Sequence, residues 1–142
     1  MRWRPDERGL VTLEVVVLTP VLLALIGLMI MAGRVALASN SVQSAADEAA
    51  RSASISRTAT GARAAAEQGA RRSIGQQDLQ CSSVTVDVDT SGFATPVGQP
   101  ARVSATVTCV VRLADLAVPG FPGSRTVTAT AVSPLDTYRE RG

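Results

Sequence analysis

An uncharged apolar segment near the N-terminus constrains the fold of this chain more than any other feature. Residues 15–33 of the 142 carry no charged side chain, and nearly all of them are apolar. A helix needs about 20 such residues to cross the hydrocarbon core of a bilayer, which is about 30 Å thick. The segment therefore predicts a membrane-spanning helix over residues 10–33.

One carboxylate, Glu14, lies at the start of this segment. An ionised side chain at the centre of a bilayer costs about 2.5–3.5 kcal/mol, and less near an end, so it usually has a partner. One explanation is that Glu14 lies at the headgroup level and is hydrated. The other is that the chain is cut after Gly9, which leaves a largely protonated α-amino group on Leu10, four residues from Glu14 on the same helix face.

The residues around that bond resemble a known processing motif. Gly9 and Glu14 have the spacing of the type IV prepilin site, with glycine before the cleaved bond and glutamate at the fifth mature position, and the leader (residues 1–9) contains three arginines. Together with Leu18-Thr19-Pro20, Gly33-Arg34 and the alanine-rich stretch up to Arg51, this pattern resembles the TadE-like proteins of tight-adherence (Tad/Flp) pilus systems.

This resemblance implies a membrane-anchored minor pilin, pseudopilin or pilus-assembly protein. Prepilin peptidase would cleave between Gly9 and Leu10, and Glu14 would act as the recognition acid during assembly with other pilins. Membrane lipid is the third implied partner. Pro20 lacks a backbone donor and is expected to bend or break the helix locally.

Two other interpretations of the N-terminus remain. A secretory signal peptide has a basic start, an apolar core and a small-residue cleavage site, which Ala36-Leu37-Ala38 offers, although signal cores usually run about 7–15 residues. An uncleaved single-pass anchor is equally compatible with the hydropathy. Both would make the protein a secreted or anchored module that binds an envelope ligand and has no role in a pilus.

The charge distribution predicts an orientation. Three arginines precede the span, and Arg34 is the only basic residue after it until Arg51. The positive-inside bias therefore places the N-terminus in the cytoplasm and the C-terminal region outside the cell membrane, where it could enter a pilus.

Cys81 and Cys109 are expected to pair, because disulfides persist outside the cytosol. Free thiols are the alternative.

Beyond the span, residues 34–80 are predicted to be helical. Small residues from Val35 to Ser52 recur at steps of three and four, which continues the membrane helix outward and lets it pack either on its own domain or on another subunit. Thr58-Ala59-Thr60-Gly61 is expected to break the helix, and a second helix is predicted from Ala62 to Ile74.

Residues 81–134 show period-two alternation and are predicted to form a small antiparallel sheet. The strands are expected around Val84–Asp89, Val103–Val111 and Thr126–Val132, with Cys81 just ahead of the first strand, so that its disulfide would pin the strand pair to the preceding helix. Loops are expected over residues 90–100 and 119–123, and a polar tail over residues 135–142. The predicted fold class is α+β: a long N-terminal helix, a second short helix and three antiparallel strands.

Composition argues against catalysis. The chain has no histidine, so neither a Ser-His-Asp triad nor a Cys-His pair can form, and two cysteines are too few for a structural zinc site. Asp87 and Asp89 are the only close acids on one strand face, where solvation is expected rather than cation binding. Aromatic residues make up 3%, too few for a typical nucleic-acid surface. We expect no enzyme activity, cofactor, metal, nucleic-acid partner or small-molecule substrate.

Overall fold

The chain folds into two helices and one three-stranded sheet, as a computed structural model shows. The structure describes residues 8–112, Ala114 and residues 123–140, with side chains from Glu14 onward. The helices are α1 (Arg8–Ser54) and α2 (Ala59–Gln76), and the strands are β1 (Cys81–Asp89), β2 (Ala101–Arg112) and β3 (Ser124–Leu135). The predicted α+β class is confirmed. Most of the predicted leader and of the loop over residues 119–123 lies outside the described residues.

Helix α1 is a single element of 47 residues that contains Pro20. Proline removes one backbone donor, yet the helix continues through it, so Pro20 does not end the helix and the irregularity expected there does not divide it. In the turn before Pro20, the Thr19 hydroxyl donates to the Val15 carbonyl oxygen at 2.6 Å. The predicted continuation of the apolar helix beyond residue 33 is therefore confirmed, and the apolar segment and the following residues up to Ser54 belong to one helix.

The upper part of α1 packs within its own chain. Its buried residues begin at Ala38 and include Val42 and Ala45, as the small-residue stripe predicted. A second row, formed by Ala46, Ala50 and Ala53, is also buried, so the covered face is wider than that stripe. Of the two alternatives for this face, packing on its own domain is the one the structure shows.

Helices α1 and α2 approach closely because small residues line their contact. A Cβ atom on Gly69 of α2 would lie 2.8 Å from Ser52 Oγ and 3.2 Å from the Glu48 carbonyl oxygen, both on α1. The other buried positions on this face of α2 include three alanines, Ala62, Ala66 and Ala70. The absence of bulky side chains lets the two backbones come together, as small residues do between helices generally.

The link between the helices comprises residues 55–58, three residues earlier in the chain than the predicted break at residues 58–61. Thr58 is the N-cap of α2, and its side-chain oxygen accepts the Gly61 N–H at 3.1 Å. Because a capping threonine satisfies a donor of the first turn, α2 begins at Ala59 instead of Ala62. The other side of the link is held by Arg139, whose Nη1 donates to the Ile55 carbonyl oxygen at 2.8 Å.

The sheet is antiparallel with strand order β1-β2-β3. Alternate residues of β2, from Ala101 to Val111, are buried against the helices, and the side chains between them face outward. On β3, Val127, Ala131 and Leu135 are buried on the same side. One core therefore joins the sheet to both helices, and we call the described residues from 38 to 140 the head.

The disulfide between Cys81 and Cys109 is present, with the two Cα atoms 5.5 Å apart. Cys81 is the first residue of β1 and not, as predicted, a residue ahead of it. The register shifts between Cys81 and Ser83, and such a bulge adds one residue to the strand, which turns Cys81 to the same face as Val84. Since Cys109 also faces the core, the bridge links two adjacent strands and does not tie the sheet to the end of α2.

The connection from β1 to β2 forms a short helical turn, Ser91–Ala94, that buries Phe93. A Cβ atom on Gly92 would overlap the carbonyl oxygen of Arg102, so only glycine fits where this turn crosses the start of β2. The hydrogen bond from Arg63 Nη2 to Thr90 Oγ1, 3.0 Å long, ties the turn to α2.

Candidate functional site

The lower half of α1 exposes a continuous apolar surface. Its large apolar side chains between Val15 and Met31 are all 39–68% exposed. Within the part of the chain that the structure describes, α1 is the one helix long and apolar enough to cross a membrane. So large an apolar patch is unusual on a protein surface in water and marks a membrane or partner contact.

A shallow groove runs along this surface beside Pro20. It is lined by Val15, Leu18, Thr19, Val21, Leu22 and Leu25. Its one polar side chain, Thr19, already donates its hydroxyl to the helix backbone. The groove therefore presents apolar carbon atoms, which suit an acyl chain or the side chains of another helix.

Glu14 lies at the N-terminal end of the apolar surface and is exposed. Among the side chains from Glu14 onward that the structure describes, none forms an ion pair with it. Helix α1 includes Gly9 and Leu10, so the backbone from Leu10 to Glu14 is helical and keeps these residues four apart on one face. Only the backbone of Gly9 and Leu10 is described, and cleavage between them stays a prediction.

The outer face of the sheet is polar. Hydroxyl groups pair across β2 and β3, with 2.9 Å between Thr106 and Thr130 and 3.2 Å between Thr108 and Thr128. In each pair one hydroxyl group donates and the other accepts, so one O–H donor per pair is not used within the pair. Both threonine pairs are exposed to solvent.

Asp87 and Asp89 lie on this outer face and are exposed. The Asp89 carboxylate accepts the backbone N–H of Ser91 at 2.9 Å, and this hydrogen bond lowers the pKa of Asp89. Across the described residues there is no group of three or more side chains suited to a metal ion. The arrangement agrees with a solvated face.

Comparison with known families identifies the segment that carries Glu14. Residues 9–51 match the family model described as TadE-like protein. This segment of α1 is similar to TadE-like proteins. The match begins at Gly9 and includes Glu14, Pro20 and the first buried turns of the head, in agreement with the resemblance seen in the sequence.

The family match does not cover most of the head. It ends at Arg51, three residues before α1 ends, and covers neither α2 nor the sheet. No curated protein and no solved structure matches the chain. The similarity to TadE-like proteins therefore covers the apolar half of α1 and the first buried turns of the head, and the rest of the head has to be understood from its own structure.

Sequence patterns missed one part of this arrangement. The second buried row on α1 escaped the prediction, although Ala46, Ala50 and Ala53 also follow steps of three and four. A search for two adjacent stripes of small residues would have found it. Such a double stripe indicates a helix covered on two sides, here by α2 and by the sheet.

Proposed function

We propose that the protein is a membrane-anchored minor pilin or pilus-assembly subunit of a tight-adherence system. In this proposal prepilin peptidase cuts the bond between Gly9 and Leu10 on the cytoplasmic side. Helix α1 then holds the mature chain in the membrane, with the head outside. The role is structural, and no residue acts as a catalyst.

One observation carries the proposal. A single acid, Glu14, lies at the end of an otherwise uncharged, exposed half-helix, and this half-helix lies in the TadE-like segment. A plain membrane anchor has no use for an acid at this position. A subunit that docks beside others does, because a carboxylate in lipid is stabilised only by a cation or a hydrogen-bond donor.

Cleavage would supply that cation. The new α-amino group on Leu10 has an ordinary pKa near 7.7–8.0 and is mostly protonated at neutral pH. It can pair with Glu14 of the same chain, four residues along α1, or with the corresponding acid of a neighbouring helix. Pairing between chains would set the stagger of parallel helices, and the apolar groove beside Pro20 would then pack against the neighbour.

The secreted module is the second candidate, and the structure disfavours it. A signal-peptidase cut after Ala38 would fall inside α1, at a residue that is only 3% exposed and belongs to the core of the head. The mature chain would begin at Ser39 and would lose Ala38, the first buried residue of α1.

Mass spectrometry of the membrane-fraction protein tests the cleavage. We expect the mature N-terminus at Leu10, and an uncut precursor when Gly9 is replaced by leucine. A start at Ser39 would support secretion instead. An intact Met1 in cells with an active prepilin peptidase would leave only the plain anchor.

The role of Glu14 is tested by Glu14→Ala, with Asp47→Ala as the control. Both residues are exposed acids on α1, but Asp47 lies in the head, where it accepts a hydrogen bond from Gln43. We expect Glu14→Ala to leave insertion and cleavage largely intact and to abolish co-purification with other pilins, while Asp47→Ala assembles normally. Equal recovery of partners with both variants would contradict the assembly role.

A further inference from the structure

The direction of β3 relative to α1 defines which end of the head faces the membrane. The hydrogen bond from Arg139 to the Ile55 carbonyl oxygen places the chain just after β3 beside the end of α1. Strand β3 also packs along α1, so the two elements run in the same direction. The start of β3 at Ser124, paired with Arg112 at the end of β2, therefore lies at the end of the head from which α1 enters the apolar half.

The buried segments of the two elements have matching lengths. The buried part of α1 runs from Ala38 to Ala53, about 22 Å at 1.5 Å per residue. The buried part of β3 runs from Val127 to Leu135, about 26 Å at 3.3 Å per residue. Arg139 and Ile55, which lie a few residues beyond the upper ends of the two segments, are hydrogen-bonded. We therefore infer that Ala38 and Val127 lie at about the same level, at the bottom of the core.

Three arginines project below that level. Arg34 precedes Ala38 by four residues, about 6 Å down the helix. Arg125 precedes Val127 by two residues, about 7 Å down the strand. Arg112 pairs with Ser124, which lies one residue further down β3 than Arg125. All three side chains are exposed, and they lie level with the end of the uncharged run of α1.

We propose that this basic collar, Arg34, Arg112 and Arg125, binds the anionic headgroups of the membrane in which α1 is anchored. The inference rests on the membrane anchoring proposed above and adds a second contact to it. An arginine guanidinium can donate two parallel hydrogen bonds to one phosphate group. The collar would thereby hold the head against the bilayer surface and fix its tilt, which a single helix crossing the membrane leaves open.

The described residues next to the strand ends at this level carry more positive than negative charge. Arg112 and Arg125 lie there with one acid, Asp78, three residues before Cys81, which pairs with Val111. A basic residue close to an anionic bilayer favours contact about fivefold at physiological ionic strength. Loss of two arginines should therefore reduce the ratio of bound to unbound heads about 10- to 30-fold.

The experiment uses the full chain reconstituted into vesicles of phosphatidylcholine, with or without 30 mol% phosphatidylglycerol, that carry a headgroup-linked quencher. A fluorescent amino acid replaces Thr126, near the collar, or Val97, which is exposed in the loop at the far end of the head. We expect strong quenching at residue 126 with phosphatidylglycerol, weaker quenching without it, and little at residue 97. Because 0.5 M salt shortens the screening length to about 4 Å, it should release residue 126.

Matched variants identify the residues responsible. Arg112→Gln with Arg125→Gln should abolish the dependence on phosphatidylglycerol, whereas Arg57→Gln with Arg102→Gln, at the far end of the head, should preserve it. If the protein floats with the vesicles but quenching at residue 126 does not depend on phosphatidylglycerol or on salt, the proposed headgroup binding by the collar is wrong and the anchoring stands. Failure to float with either lipid would overturn the anchoring and the collar together.

Discussion

The two halves of α1 belong to one uninterrupted helix and invert the usual relation between size and burial. The lower half carries leucine, isoleucine, valine and methionine, and these side chains are exposed. The upper half carries mostly alanine on its packed face, and residues such as Ala45, Ala46 and Ala49 are completely buried. The larger apolar side chains are thus outside and the smaller ones inside.

The difference shows that the solvent around each half selects its residues. In lipid, bulky apolar side chains face a solvent as apolar as themselves, so exposure carries no penalty. In the head, the stability comes from close packing between α1, α2 and the sheet, which small side chains permit. A helix that passes from one environment to the other therefore changes its residue size without changing its backbone.

Removal of the disulfide tests whether the head is stabilised independently of the apolar half of α1, and it has the largest expected effect on stability. Replacing both Cys81 and Cys109 by alanine should lower the free energy of unfolding of the head by about 3.5 kcal/mol, because the bridge closes a long loop in the unfolded chain. Urea unfolding in detergent micelles, followed by hydrogen exchange of the strand amides, measures the loss.

The amides of the lower half of α1 serve as the internal control for this measurement. Their protection depends on the micelle and should stay unchanged in the double variant and in reduced wild-type protein. A parallel loss of protection in both halves would show that the head and the span unfold as one unit, and the comparison would fail.

Two substitutions test whether side-chain size matters only in the packed half of α1. One enlarges a buried side chain, and the other shortens an exposed one. Ala49 has no exposed surface, so Ala49→Leu should destabilise the head by about 1–3 kcal/mol through overpacking. Leu25 is 49% exposed in the lower half, and Leu25→Ala should leave the stability of the head within about 0.5 kcal/mol of wild type. The same urea titration compares the two variants. Similar losses in the free energy of unfolding would refute the idea that side-chain size matters only in the packed half.

The smallest of these effects concerns the link between the helices. Thr58→Ala removes the side-chain oxygen that accepts the Gly61 N–H and should cost about 1 kcal/mol of head stability. Thr60→Ala, in the first turn of α2 but outside the cap, is the matched control. Equal melting temperatures for these two variants would mean that the cap does not hold α2 in place.

Patterns of short range predicted most of the elements. The uncharged run, the small-residue stripe and the alternation of valine with threonine identified α1, part of α2 and all three strands, because each depends on neighbours a few residues apart. The start of α2 was missed by three residues because the Thr58 cap was not recognised. The position of Cys81 was missed because the bulge after it depends on the pairing with β2.

The candidate functional residues also divide into those that the sequence predicted and those that only the fold brings together. Gly9, Leu10, Glu14 and Pro20 could be selected from the sequence, since the proposed processing and insertion would act on a linear segment. The basic collar could not, because Arg112 and Arg125 are far from Arg34 in the sequence. Only the direction of β3 along α1 brings these arginines to one level.

The sequence by itself determined that this chain has a membrane-length helix with one acid, a helical continuation and a small sheet, because hydropathy and periodicity are local properties. The tertiary structure decided that residues 38–53 of α1 are covered by α2 and the sheet, that the disulfide joins two neighbouring strands, and which end of the head lies next to the apolar half of α1. These outcomes depend on which surfaces meet, and small side chains such as those of Ala49 and Gly69 acquire their role only from the backbone that packs against them.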